Sequence, residues 1–122
     1  MVLPLLRENR VHEVEPNQAL LTDRYTDEGI SFIQRNRDRP FFLYLAHMYV
    51  HGPLHPPAEY LELSRNGPYG AEVEHLDWSA GLILDKLVQL GIDGNTMLIL
   101  TSDHGSARTG SNLPLRGRKG NT

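Results

Sequence analysis

The chain has 122 residues, 39% hydrophobic and 22% charged, with a formal net charge of -3 and no cysteine. That length suits one modest domain, and the mild acidity gives no electrostatic reason to expect nucleic acid or a membrane surface as a partner. Without cysteine there is no disulfide, thiolate nucleophile or sulfur-ligated metal within the chain, and no apolar run approaches the roughly 20 residues that span a bilayer.

Pro4, Pro16 and Asn17 punctuate the opening segment, whose short apolar pieces (Leu5-Leu6 and 11–14) read as a small hairpin or a surface lead-in. The apolar start, Met1-Val2-Leu3-Pro4-Leu5-Leu6, meets Arg7 too soon for a signal-peptide core, so no targeting segment is read there. From Thr22 the pattern becomes helical. Tyr25, Gly29, Phe32 and Ile33 share one face, Asp23, Asp27 and Glu28 favour the N-terminal end, and Arg35, Arg37 and Arg39 favour the C-terminal end before Pro40 stops the helix.

Residues 41–46, Phe-Phe-Leu-Tyr-Leu-Ala, form an apolar run of the kind buried on both faces in parallel sheets. The following loop carries His47, His51 and His55, and its Gly52, Pro53, Pro56 and Pro57 exclude a continuous helix. A short helix over 57–63 ends at Asn66-Gly67-Pro68. A long one over about 69–90 shows an apolar stripe of Tyr69, Val73, Leu76, Ala80, Ile83, Leu87 and Leu90, with Glu72, Glu74, Asp77 and Asp85 mostly off it. Gly91 supplies the left-handed cap. A second buried strand, 97–102, runs straight into Asp103, His104 and Gly105.

Strand, loop, long helix and strand make a βαβ unit, so the expected class is α/β, with parallel strands at 41–46 and 97–102 and a right-handed crossover. Parallel strands end on one sheet edge, which would open the His47/His51 loop and Asp103-His104 onto a common crevice. Asp103 and His104 then read as donors for a divalent cation, against the plainer alternative of a turn leaving a strand. The three loop histidines leave open a zinc site, a single histidine acting as proton donor or anion contact, or solvated side chains, the last applying best to His55. His12 and His75 read as structural or surface residues. The stretch 105–122 holds four glycines, one proline and four cationic residues and no periodic element. Within it, Leu115-Arg116-Gly117-Arg118-Lys119-Gly120 is a glycine-flanked cationic loop able to close on an anion. A carboxylate, an imidazole, a further histidine and a lysine suit hydrolysis of an anionic ester. Ser102, Ser106 and Thr109 lack a positioned base, so no nucleophile is evident.

Four motifs together resemble the sulfatase family. Arg39-Pro40-Phe41-Phe42-Leu43-Tyr44-Leu45-Ala46, with His51 and Pro53 beyond it, resembles the family's Pro-Phe-Phe-Leu-Tyr strand and its histidine loop. The run from Tyr69-Gly70 through Val73, Glu74 and Leu76-Asp77-Trp78-Ser79 to Gly81 is similar to its long helix. Thr101-Ser102-Asp103-His104-Gly105 is similar to its metal-binding strand end, and Gly110-Ser111 through Pro114-Leu115-Arg116-Gly117 to Lys119-Gly120 resembles its lysine loop. The likeness is greatest to the arylsulfatase A-like branch. It implies an alkaline-phosphatase-like α/β fold, a calcium ion, a formylglycine nucleophile made from cysteine, and hydrolysis of sulfate esters such as sulfated sugars or aryl sulfates. It implies Asp103 and His104 as metal ligands, His104 standing where many relatives have Asn. It also implies His51 as the residue that contacts sulfate or protonates the leaving oxygen, and Lys119 as the bridge between sulfate and nucleophile. The family setting is periplasmic, secreted or lysosomal.

The cysteine segment, the aspartate pair of the family's first strand and the segment with a further Lys and His are absent. Residues 1–122 are therefore expected to be an internal fragment of a sulfatase catalytic domain, whose partner would be the remainder of that domain. Competing expectations are a phosphodiesterase or phosphonate hydrolase of the same superfamily, and a non-catalytic remnant that binds anions or a partner chain.

Overall fold

Local chemistry builds the first element as a two-stranded antiparallel hairpin, β1 (Pro4–Arg7) and β2 (Arg10–Val14). A computed structural model describes residues 3–107 and 109–121; Met1, Val2, Arg108 and Thr122 of the terminal stretches lie outside it. Glu8 and Asn9 turn the hairpin in the left-handed region, with φ of 51° and 62°, the geometry a two-residue hairpin turn requires. The hairpin is tied to the next helix by charge: Arg24 Nη1 pairs with Glu13 Oε2 at 2.6 Å, and Arg7 pairs with Glu28.

Helix α1 (Leu21–Asn36) follows, then short α2 (Ala58–Leu63) and long α3 (Gly67–Gln89). The helices fall close to their expected positions. Pro68 sits in the first turn of α3, where its missing N–H is harmless. At the other end Gly91 has φ +67°, its N–H reaches the Val88 carbonyl, and the Ile92 N–H reaches the Leu87 carbonyl. This pattern is a Schellman cap, and Ile92 packs beside Leu87 to close it.

Helices α1 and α3 cross over a small core of Ile33, Ile83 and Leu87, flanked by Ile30, Phe41, Leu43, Leu45, Leu90 and Ile92. Gly29 lies buried in this contact, where a Cβ would meet Leu45 Cδ2 at 3.4 Å and Ile83 Cδ1 at 3.5 Å, ordinary packing distances. Phe32 and Phe41 meet edge to face with ring centroids 5.9 Å apart.

The parallel strands expected at 41–46 and 97–102 are not formed; among the described residues the sheet is the hairpin alone. Residues 41–47 are extended and turn every second side chain inward, Phe41, Leu43, Leu45 and His47 being half-buried. Phe42 and Tyr44 point out, 85% and 81% exposed, and Met97 and Ile99 are similarly bare. A parallel strand needs a laddered neighbour and cover on both faces. Here the helices cover one face of 41–47, and neither segment has a ladder.

The buried face of α3 also differs from the expected stripe. Its buried residues are Gly70, Ala71, Glu72, His75, Ser79, Ile83 and Leu87, whereas Val73 is 43% exposed. Only the C-terminal half follows the apolar pattern. The N-terminal half turns polar groups inward because α1 meets it with Thr22, Asp23 and Thr26, and hydrogen bonding replaces apolar contact there.

Candidate functional site

Three stretches carry the candidate residues: the loop 47–57, the strand end at 103–105 and the loop around Lys119. The first is built on α3. The His55 backbone N–H donates to Glu72 Oε1 at 2.7 Å, and the Tyr49 hydroxyl donates across the loop to the His55 carbonyl at 2.7 Å. Pro57 is buried at the entry to α2. His51 lies at the exposed end of this pinned loop. Its Nδ1 faces the Gly52 carbonyl at 2.8 Å, and a carbonyl can only accept, so Nδ1 carries the proton and Nε2 is the atom left for proton exchange.

His47 is fixed from the other side. Thr26 Oγ1 donates to the Thr22 carbonyl at 2.6 Å and stands 2.6 Å from Ser79 Oγ. With the Thr26 hydrogen already used, Ser79 is the donor in that pair. Ser79 Oγ is then free to accept from His47 Nε2, 3.4 Å away, at the long end of hydrogen bonding. Burial lowers the His47 pKa below 6.5, and neighbouring His75 lowers it further.

The interior beneath this loop was the part missed in the sequence. His75 takes the structural one of its two readings: it is fully buried, and its Nε2 donates to Asp23 Oδ1 at 3.1 Å. Tyr60 stacks on its ring at 4.4 Å, with Trp78 at 5.2 Å and Tyr49 at 5.9 Å. Glu72 is likewise fully buried. Burial raises its pKa above 4.5, opposed by the His55 amide hydrogen bond and then by the His55 ring. Tyr49 is pushed up to about 12 by burial and then by the charges of Glu72 and Asp23. Among the described residues, His47 Nδ1, Glu72 Oε2 and His75 Nδ1 are buried with no hydrogen-bond partner. A signal did exist: Glu72, His75 and Ser79 recur at helical spacing, a polar stripe beside the apolar one.

The segment expected to be a strand end, Asp103 and His104, is open to solvent. His104 Nε2 stands 3.2 Å from Asp103 Oδ2, the two side chains 42% and 81% exposed. His104 Nδ1 donates to the Gly105 carbonyl at 2.9 Å, which leaves Nε2 as the nitrogen available to a cation. Asp103 suits a hard cation and the imidazole suits it less; two donors fall well short of the roughly six to eight oxygens calcium takes. Among the described residues no group of three or more His, Cys, Asp or Glu is arranged to hold a metal, so neither a three-histidine zinc site nor a complete calcium site is formed. Lys119 is exposed. Among the described residues no hydrogen bond or ion pair links His51, the Asp103-His104 pair and Lys119 to one another.

Comparison with known proteins identifies the lineage of these stretches. A sulfatase family model matches residues 6–122. The steryl-sulfatase of Rattus norvegicus is 41% identical over 112 residues, covering 84% of this chain and 19% of that protein. The N-acetylgalactosamine-6-sulfatase of Mus musculus is 44% identical over 92 residues, 74% of this chain and 18% of that protein. Arylsulfatase D of Homo sapiens is 38% identical over 78 residues, 64% of this chain and 13% of that protein. The chain thus spans a small part of the length of each of these relatives.

Proposed function

The chain belongs to the sulfatase family, and from that premise we propose that it supplies part of the metal- and sulfate-binding machinery of a sulfuric ester hydrolase. The observation that carries this reading is the order of the four motifs, 39–53, 69–81, 101–105 and 110–120, inside one continuous family match over 6–122. In this reading 41–46 and 97–102, which form no ladder among the described residues, would become parallel strands once the rest of the family's α/β sheet flanks them, their C-terminal ends then facing the same crevice.

The chemistry follows from the side chains. With Nδ1–H held by the Gly52 carbonyl, His51 acts as its imidazolium: the proton taken up at Nε2 passes to the ester oxygen as its bond to sulfur breaks, leaving the neutral ring. The Lys119 ammonium is a compact charge for the sulfate oxyanions. Asp103 Oδ2 and His104 Nε2 are two of the donors for a divalent cation, calcium by family, which when bound stabilises charge on the nucleophile. The nucleophile is a formylglycine hydrate carried by residues other than these, because the chain contains no cysteine. The substrate class is a sulfate ester, an aryl sulfate or a sulfated sugar.

The test is hydrolysis of an aryl sulfate by the chain joined to a sulfatase segment bearing formylglycine. Asp103→Ala should abolish turnover and metal binding together, and His51→Ala should lower turnover by roughly a hundredfold, a usual scale for a general acid. Equal losses at His47, His51 and His55 would overturn the role given to His51. Preference for an aryl phosphate would move the reaction to the phosphate-ester branch of the superfamily, and binding without turnover would leave an anion-binding remnant.

A further inference from the structure

The strand end and the lysine loop are joined by one side chain that no catalytic role accounts for. Asn112 Oδ1 accepts the Ser106 backbone N–H at 2.7 Å, and Asn112 Nδ2 donates to the Ser106 carbonyl at 3.0 Å and to the Gly117 carbonyl at 2.8 Å. The side-chain amide therefore pairs with Ser106 as a neighbouring strand would, and spends its second N–H on a residue two positions before Lys119. Both donors and the acceptor are engaged, and the orientation is unambiguous, because a flipped amide would set its oxygen against two carbonyls.

The local backbone is built around this amide. A Cβ on Gly105 would stand 2.8 Å from Asn112 Oδ1 and 3.1 Å from Asn112 Cγ, so a larger residue beside His104 would displace it. Gly117 has φ +82°, a conformation that costs glycine little and lets its carbonyl turn toward Asn112. The Leu115 N–H returns to the Asn112 carbonyl at 2.8 Å, and Ser106 Oγ accepts the Gly110 N–H at 2.8 Å.

We propose that Asn112 is a positioning residue that fastens the segment bearing Asp103 and His104 to the loop bearing Lys119. What those residues do rests on the sulfatase reading above; that Asn112 sets their spacing rests on its own three hydrogen bonds. The choice of asparagine has a chemical reason. Aspartate, the same shape, would keep the acceptor for Ser106 N–H but place a charged oxygen against the Ser106 and Gly117 carbonyls, so charge and shape can be separated by one substitution.

The experiment uses the whole chain with inorganic sulfate as the probe. Nuclear magnetic resonance follows exchange of the Ser106 amide, the proximity of Ser106 to Gly117, and sulfate binding at the Lys119 ammonium. Asn112→Ala and Asn112→Asp should both separate Ser106 from Gly117 and weaken sulfate binding roughly tenfold, the lower end of what partners behind a ligating group contribute, while the thermal midpoint stays put. Only Asn112→Ala should also expose the Ser106 amide. Gly105→Ala should reproduce the loss in the wild type and add nothing in the Asn112→Ala background, because the clash is then gone. Wild-type spacing and sulfate affinity in Asn112→Asp, or additive effects of Gly105→Ala and Asn112→Ala, would overturn the proposal. If the wild type and Lys119→Ala bind sulfate equally, the sulfatase role of Lys119 fails, while the Ser106–Gly117 proximity and the Gly105 cycle still decide the role of Asn112.

Discussion

Glu72 Oε1 accepts the His55 backbone N–H at 2.7 Å while Oε2 of the same carboxylate is buried without a partner. The loop that presents His51 is thus held by a carboxylate that burial makes reluctant to ionise. Its pKa lies above the ordinary 4.5, so the folded chain binds this proton more tightly than the unfolded one. Its contribution to stability is full below 4.5 and is lost as the pH rises through the folded value.

Glu72→Gln keeps an oxygen for the His55 N–H and cannot ionise. Denaturant titrations across this range should therefore show the wild type losing stability relative to Glu72→Gln as the pH rises above 4.5. Parallel curves would show that Glu72 is not the group responsible. Glu72→Ala removes the acceptor altogether and should cost about 1–3 kcal/mol, with faster exchange of the His55 amide.

Ser79 joins the helices by hydroxyl contact, 2.6 Å from Thr26 Oγ1 on α1, and carries His47 from the loop. Ser79→Ala strips the hydroxyl from a fully buried position and should destabilise the chain by about 1–3 kcal/mol in urea titrations. His47 has a lowered pKa, so its neutral form contributes stability above 6.5 that is lost as the pH falls through the folded value. His47→Gln should therefore flatten the stability profile on the acid side of 6.5. A profile as steep as the wild type would assign that slope to another group.

These polar contacts explain what the sequence could and could not reveal. The helices were legible because their signals are local: Pro68 at the start of α3, Gly91 at its end, and Ile83 and Leu87 on one face. The motif segments were legible because their residue types are unusual together. Strand pairing was not, since Phe41 and Met97 begin apolar runs whose cover depends on neighbours far along a chain. The inward turn of Glu72 and His75 was hidden for a related reason: their burial is set by Asp23 of α1 and by His55, Tyr49 and Tyr60, more than ten residues distant in sequence. Asn112 carries no pattern at all, and its role is visible only once Ser106 and Gly117 are placed around it.

The exposed apolar rows have a solution consequence. Phe42 and Tyr44 on one extended segment and Met97 and Ile99 on the other are largely bare, and both segments have unpaired backbone, a template for association. The chain should self-associate with rising concentration in sedimentation measurements. Phe42→Lys and Ile99→Lys together should shift it toward monomer without loss of helix signal. A wild type that stays monomeric at high concentration would show that these rows do not drive association.

The chain by itself should not hydrolyse sulfate esters. Forming a new bond at sulfur needs a nucleophile, and the family's is an aldehyde hydrate made from cysteine, a residue this chain lacks. Ser102 is poorly placed to replace it: its hydroxyl is spent on the His104 carbonyl at 2.6 Å, and among the described residues no imidazole accepts its proton. Ser106 Oγ is engaged by the Gly110 amide. In the roles proposed above, proton delivery by His51 and charge neutralisation by Lys119 would assist departure of the ester oxygen, but neither forms the new bond at sulfur. Asp103 and His104 supply two donors, so calcium should bind the isolated chain more weakly than micromolar, as titration calorimetry would report. The decisive assay is an aryl sulfate with excess calcium, first with the chain alone and then with a formylglycine-bearing sulfatase segment added. Turnover should appear only in the second case and should vanish with Asp103→Ala. Turnover by the chain alone, above that of its own Asp103→Ala variant, would mean that the nucleophile lies within these residues and that its assignment to a formylglycine is wrong.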